Sequence, residues 1–193
     1  MPKRRLFIAI DISTEARQAA AAHIDILRRQ WPKCSASWTR PEKLHFTLRF
    51  LGDTADEKVP AVLAAMERAC RSTSPSTLSV AGTGAFPSGR RARVLWLGAT
   101  GDTVTMARTK DDLDGQLASV GIEPDDREFR PHLTIARVKD PVGCRDLVAH
   151  HLAAGVRSAA FIPDGLVLYE SRLERTGSVY TVVGRASFAP PSY

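Results

Sequence analysis

The chain has 193 residues, a formal charge of +6, and 44% apolar and 25% charged residues, an ordinary balance for a folded soluble protein. That length gives one large domain or two small lobes, and no run approaches the roughly 18 consecutive apolar residues of a membrane span. Cys34, Cys70 and Cys144 are widely spaced with no Cys-x-x-Cys pair, which argues against a disulfide framework and for a reducing cytoplasm, while the charge leans towards an anionic partner such as nucleic acid.

Residues 5–11 read as a first buried strand, because their apolar run is too short for a signal peptide and lacks a small-residue cleavage site. A helix is predicted over 14–30, capped by Ser13 and stopped by Trp31-Pro32. A short strand at 36–39 leads through Arg40-Pro41 into a strand at 45–51 that Gly52-Asp53 ends. A helix follows over 55–70, with Val59, Val62, Leu63, Met66 and Ala69 on one stripe and Pro60 early enough to be tolerated. After a polar loop at 72–76, strands are expected at 78–86 and 93–98, then a helix over 102–120 closing on Gly121. The loop 122–129 is acidic and polar, and Pro131 opens a strand at 132–138. A helix at 143–153 and a meander of strands at 156–162, 165–173 and 178–188 complete the chain.

Two of these strands carry the same pattern, His45-Phe46-Thr47-Leu48 and His132-Leu133-Thr134-Ile135. Alternate side chains of a strand share a face, so each copy sets one histidine and one threonine on one side and two apolar residues on the other. If both strands face one cleft, it holds two imidazoles and two hydroxyls, a site for acid–base chemistry on an oxyanion. Each copy lies after one helix and before another. The simplest arrangement is therefore α+β: one bilobal domain over 1–193 with an internal duplication, each lobe an antiparallel sheet with helices on its outer face, around a central cleft.

Other chemistries fit less well. Neither motif brings a second histidine or a carboxylate at ligand spacing, so no zinc or other metal site is expected, and no cofactor. There is no Gly-x-Ser-x-Gly elbow, and Ala81-Gly82-Thr83-Gly84-Ala85 lacks the Gly-Lys-Ser/Thr of a phosphate loop. His23, His150 and His151 are expected on helix surfaces. Arg90, Arg91 and Arg93 follow a turn after Phe86-Pro87, where they could contact phosphate while Phe86 offers a surface on which a base stacks.

The doubled motif resembles that of the two-histidine (2H) phosphoesterase superfamily. Flanking segments sharpen the resemblance to the bacterial and archaeal RNA 2′,3′-cyclic phosphodiesterase, or LigT-like, family. They are Arg5-Leu6-Phe7-Ile8-Ala9-Ile10-Asp11, Trp38 with Pro41-Glu42-Lys43-Leu44, Phe50-Leu51-Gly52, Phe86-Pro87, Val94-Leu95-Trp96-Leu97-Gly98, Arg130-Pro131-His132 and Leu168-Tyr169-Glu170-Ser171-Arg172-Leu173.

The resemblance implies metal-independent hydrolysis of RNA 2′,3′-cyclic phosphate ends to 2′-phosphomonoesters. His45 would be the general acid and His132 the general base, with Thr47 and Thr134 hydrogen-bonded to the non-bridging oxygens. The alternatives are a 2′-5′ RNA ligase working the same site in reverse and a non-catalytic RNA-binding module. Strand parity adds Arg130, Lys43 and Arg49 to the site face, with Arg130 the first choice for a phosphate or ribose contact, and assigns Arg137 a structural place. A monomer in the cytoplasm is expected.

Overall fold

The computed structural model of the protein describes residues 2–189 apart from positions 75, 126 and 176. Strand β1 (Lys3–Asp11) is buried without interruption from Leu6 to Ile10, because it lies inside a sheet with both faces covered. Helix α1 (Thr14–Gln30) starts where Ser13 accepts the Ala16 N–H at 3.1 Å. It buries Ala16, Ala20, His23, Ile24 and Leu27, spaced as one helical face. There follow β2 (Ala36–Trp38), β3 (His45–Ala55), α2 (Val59–Arg71), β4 (Leu78–Phe86) and β5 (Val94–Gly101). Then come α3 (Thr103–Ala118), capped by Asp102, β6 (His132–Val138), α4 (Arg145–Ala153), β7 (Gly165–Glu174) and β8 (Gly177–Ser187).

Two expectations about element ends change. Gly52 does not end β3: at φ +66° it occupies a bulge opposite Leu6, and the strand continues to Ala55. Residues 156–162 form no strand, giving only single bridges from Arg157 to Ala81 and from Phe161 to Leu78.

The strands form two antiparallel four-stranded sheets, ordered β3-β1-β7-β8 and β2-β6-β5-β4, so each draws on both halves of the chain. Helices α2 and α3 cover the first sheet, α2 against β7 and β8 and α3 against β3. Helices α1 and α4 cover the second against β4. The architecture is α+β, and β3 and β6, which carry the two motifs, lie against one another between the sheets. No helix among the described residues is long and apolar enough to cross a membrane.

Two assignments of buried groups are corrected. Cys34 and Cys144 form a disulfide with their Cα atoms 5.3 Å apart, tying the segment after α1 to the start of α4. Their wide separation in sequence concealed a pairing that the stacking of α1 and α4 on one sheet produces. His23 and His151 are buried rather than solvated: His23 Nε2 lies 2.9 Å from His151 Nδ1, and His151 Nε2–H donates to the Gly84 carbonyl at 3.1 Å. Only His150 is exposed, its ring 4.8 Å from that of Trp31.

Burial, followed by the charges of His151 and His150, lowers the His23 imidazole to about 4, and burial lowers His151 as well. The unfolded chain takes up these protons near 6.5 while the folded one does not, so the pair's contribution is complete above that pH and is lost as pH falls towards 4. Thermal denaturation followed between pH 7 and pH 4 should show Tm falling across this window, and His23→Leu should flatten the fall; a variant with the wild-type slope would refute the assignment.

Candidate active site

Both motif histidines line one cleft of about 500 Å³ between the sheets. Each is oriented in the same way. His45 Nδ1–H donates to the Lys43 carbonyl at 2.8 Å, and His132 Nδ1–H donates to the Arg130 carbonyl at 2.7 Å. The backbone bond fixes the tautomer and leaves Nε2 as the free nitrogen. At His45 that nitrogen accepts from the Thr47 hydroxyl at 3.0 Å. Thr47 and Thr134 line the same cleft, as alternation from their histidines requires.

Alternation then fails in both strands at the same place. In β3 the partners of Ile8 and Ala9 are Arg49 and Thr47, so Leu48 is bulged; in β6 the partners of Leu95 and Trp96 are Ala136 and Thr134, so Ile135 is bulged. Each bulge follows its threonine directly and reverses the faces beyond it. Arg49, placed on the site face by parity, is therefore buried at 5% exposure and packed away from the cleft. It lies 3.5 Å from Asp114 and 3.8 Å from Asp125 and donates to the Glu123 carbonyl, so it anchors the segment before β6 to β3 and α3. The positions brought to the cleft instead are Phe50 and Arg137, and the structural place expected for Arg137 is corrected. A strict two-residue period could not show this.

The remaining candidates separate. Lys43 lines the cleft, its Nζ on the Ser178 carbonyl and 5.9 Å from the Tyr180 ring centre. The Arg130 side chain is exposed and bridges to Glu128 at 2.7 Å; only its carbonyl reaches the site. Phe86 presents no stacking surface to the cleft, since its ring sits 5.1 Å from His132 and 5.3 Å from Trp96, behind the histidine. A Cβ on Gly84 would collide with the Trp96 ring, so a residue without one allows the indole to lie there, 6.2 Å from His132. Arg90 and Arg91 are exposed and outside the cleft, and Arg93 donates to the Lys139 carbonyl.

Several contributors carry no motif. Phe7 stacks on His45 at 4.9 Å, with the Tyr180 ring at 5.6 Å and the Tyr169 ring at 5.9 Å completing an aromatic wall. Arg17, on α1, donates to the carbonyls of Pro41 at 2.6 Å and Leu44 at 3.2 Å and so fixes the turn from which β3 emerges. Arg5, Lys43, Arg127 and Arg137 line the cleft, and among the described residues no carboxylate does. Such a lining favours an anion. Nor are any three or more His, Cys, Asp or Glu side chains among the described residues grouped so as to hold a metal ion.

Desolvation against the aromatic wall lowers the His45 imidazole to about 4; the charges of Arg17 and His132 act in the same direction, and the Lys43 carbonyl and Asp11 oppose it. At that proton affinity His45 is neutral at pH 7. An anion beside it favours the imidazolium and raises its proton affinity.

Comparison with known proteins places these features in a wider set. The family model described as LigT-like phosphoesterase matches residues 10–96 and 102–180. The RNA 2′,3′-cyclic phosphodiesterase of Methanothermobacter thermautotrophicus is 31% identical over 181 residues, 93% of this chain and 96% of that one. That of Thermotoga maritima is 30% identical over 185 residues, 95% of each. Among solved structures, a Thermus thermophilus protein superposes with a TM-score of 0.77 at 29% identity, covering 95% of this chain and 97% of its own. Escherichia coli LigT complexed with 3′-AMP gives 0.73 at 26% identity, covering 96% and 98%.

Two measurements test the geometry. An NMR titration of the His45 ring protons should give a midpoint near 4 in the free protein, moving up when inorganic phosphate is added; a midpoint indifferent to phosphate would remove His45 from the anion site. Arg49→Ala removes a buried guanidinium from Asp114, which keeps Lys110, and from Asp125, which keeps Arg127, and should cost about 1–3 kcal/mol in urea unfolding, whereas unchanged stability would mean the side chain is not the anchor described.

Proposed function

We propose, for a chain that belongs to the LigT-like phosphoesterase family, hydrolysis of the 2′,3′-cyclic phosphate at the 3′ end of RNA to a 2′-phosphomonoester, with the two cleft histidines as acid and base. The observation that carries this reading is the pair of imidazoles, each presenting Nε2 into one cation-lined cleft. The chain is accordingly a phosphoric diester hydrolase like its curated relatives.

In-line attack at phosphorus puts the entering and leaving oxygens on opposite sides, so each needs its own proton-transfer group. Histidines delivered by two different strands answer that need. His132 Nε2 takes a proton from the attacking water, and His45 Nε2–H gives one to the departing 3′ oxygen. The anionic cyclic phosphate stabilises the imidazolium, so His45 takes up a proton from solvent on binding. Once Nε2 carries a proton it no longer accepts from Thr47, whose hydroxyl is then free to turn towards a non-bridging oxygen as Thr134 does on the other side. Lys43 and Arg137 add positive charge around the same oxygens. Lys43 Nζ is already held by the Ser178 carbonyl, so it needs little reordering. The enzyme needs no metal for these steps and acts as a monomer.

Incubation with an oligonucleotide ending in a 2′,3′-cyclic phosphate, in the presence of EDTA, should yield the 2′-phosphate and no 3′-phosphate. His45→Ala and His132→Ala should each lower kcat by about 100-fold or more, the scale of losing a general acid or base, with Tm nearly unchanged. Full turnover in either variant, or a requirement for added zinc, would overturn the reading.

A further inference from the structure

His132, the base of the reaction proposed above, rests on a surface that no motif marks. Interstrand register sets Gly84, Trp96 and Thr134 in one row across β4, β5 and β6, and Gly98 beside His132 in the next. The Trp96 indole lies across Gly84, where a Cβ would fall inside its ring. A Cβ on Gly98 would stand 3.5 Å from the indole Cζ3 and 2.9 Å from the Ala81 carbonyl. Neither glycine has a positive φ, so both positions supply a missing side chain and not backbone freedom. Glycine inside a strand weakens it and marks the close approach of another group. Here that group is the indole, 6.2 Å from His132, with the Phe86 ring 5.3 Å from the indole and 5.1 Å from the imidazole.

Folding alone does not account for this arrangement. The Trp96 Nε1–H is buried and has no hydrogen-bond partner among the described residues, a cost that a phenyl ring in its place would not carry. At the edge of the same sheet, β4 is held by a second polar group in an apolar setting. His151 of α4 is fully buried and donates Nε2–H to the Gly84 carbonyl at 3.1 Å, while its Nδ1 accepts from His23 Nε2–H of α1 at 2.9 Å. Two aliphatic side chains would fill that space without desolvating two imidazoles. What the imidazole pair adds is direction, since a hydrogen bond fixes where the Gly84 backbone sits and apolar packing is less exacting. His132 has need of such support. Thr47 holds Nε2 of His45, but among the described residues His132 is tied only by Nδ1, to the Arg130 carbonyl.

We propose that Trp96 is a positioning residue for His132 and that the His23–His151 pair acts through it. The pair holds Gly84 in place, Gly84 gives the indole its seat, and the indole with Phe86 keeps the imidazole from turning out of line with its bond to Arg130. This role rests on the phosphodiesterase reading and adds that a buried polar pair outside the cleft governs how well the base inside it is aimed.

The test measures kcat and KM on a 2′,3′-cyclic phosphate end, together with Tm and the NMR signals of the His132 ring protons. Gly84→Ala, which pushes the indole off its seat, should lower kcat by about 10- to 100-fold, the scale of a small misplacement of a reacting group, with KM little changed. Trp96→Leu should lower kcat by a similar factor, and adding Gly84→Ala to it should cost no more, because the clash is gone. His151→Leu should also lower kcat and should move the His132 signals, although it touches no group in the cleft. His151→Gln, whose amide can still donate to the Gly84 carbonyl, should restore both. A lower Tm in His151→Leu with kcat and the His132 signals at their wild-type values would overturn the positioning role, as would additive losses from Gly84→Ala and Trp96→Leu. If the wild type cleaves no cyclic phosphate, it is the phosphodiesterase reading that fails, and the His132 signals alone decide for or against the support of its ring.

Discussion

The hydrogen bond from each cleft imidazole to the carbonyl two residues before it is the constraint on which the site depends. At 2.8 Å for His45 and 2.7 Å for His132, it sets Nδ1 as the donor and leaves Nε2 to face the cleft. Because the acceptor is backbone, the side chain at that position is free to differ in character and direction. Lys43 turns into the cleft, whereas Arg130 turns out to Glu128. What must be kept is the path of the chain entering the strand. For β3 that path is held by Arg17, reaching from α1 to the Pro41 and Leu44 carbonyls.

The two imidazoles then meet different surroundings. His45 is pressed against Phe7, with two tyrosine rings beyond, and loses most of its hydration. His132 is backed by Phe86 edge-on and by Trp96. Desolvation disfavours the imidazolium, which is why His45 falls to about 4. In the proposed mechanism this matters, because an acid with so low a proton affinity gains its proton only beside a phosphate anion, which couples protonation to substrate binding through one desolvated side chain.

The sequence showed the alternating layout, both motif strands and the caps of the first helix, because these follow from local patterning. It did not show what depends on interstrand register. Arg49 and Arg137 exchanged their expected places because a bulge is a property of two paired strands: nothing in Thr47-Leu48-Arg49 distinguishes a bulge from regular strand. The same holds for partners distant in the chain. His23 and His151 each looked like a surface histidine on its own helix, and their burial comes from α1 and α4 lying side by side. The pairing of Cys34 with Cys144 is hidden for the same reason. Phe86, expected as a stacking surface, instead sets its ring edge-on against His132.

The paired bulges also separate what the two motif strands have in common from what they do not. Leu48 and Ile135 are extruded at the same distance from their histidines, so Phe50 and Arg137 are geometrically equivalent positions in unrelated chemical guises. A regular strand would bury both and would return Arg49 to the cleft, removing the guanidinium that joins Asp114 to Asp125. The bulge therefore solves two problems at once: it sends the arginine inward to tie β3 to the segment that leads into β6, and it frees the next position to face substrate. On one strand that position is aromatic, and on the other it is cationic. An RNA end offers both a base and a phosphate, and a cleft with one of each side chain at matched positions can meet both without breaking the symmetry that aligns the histidines.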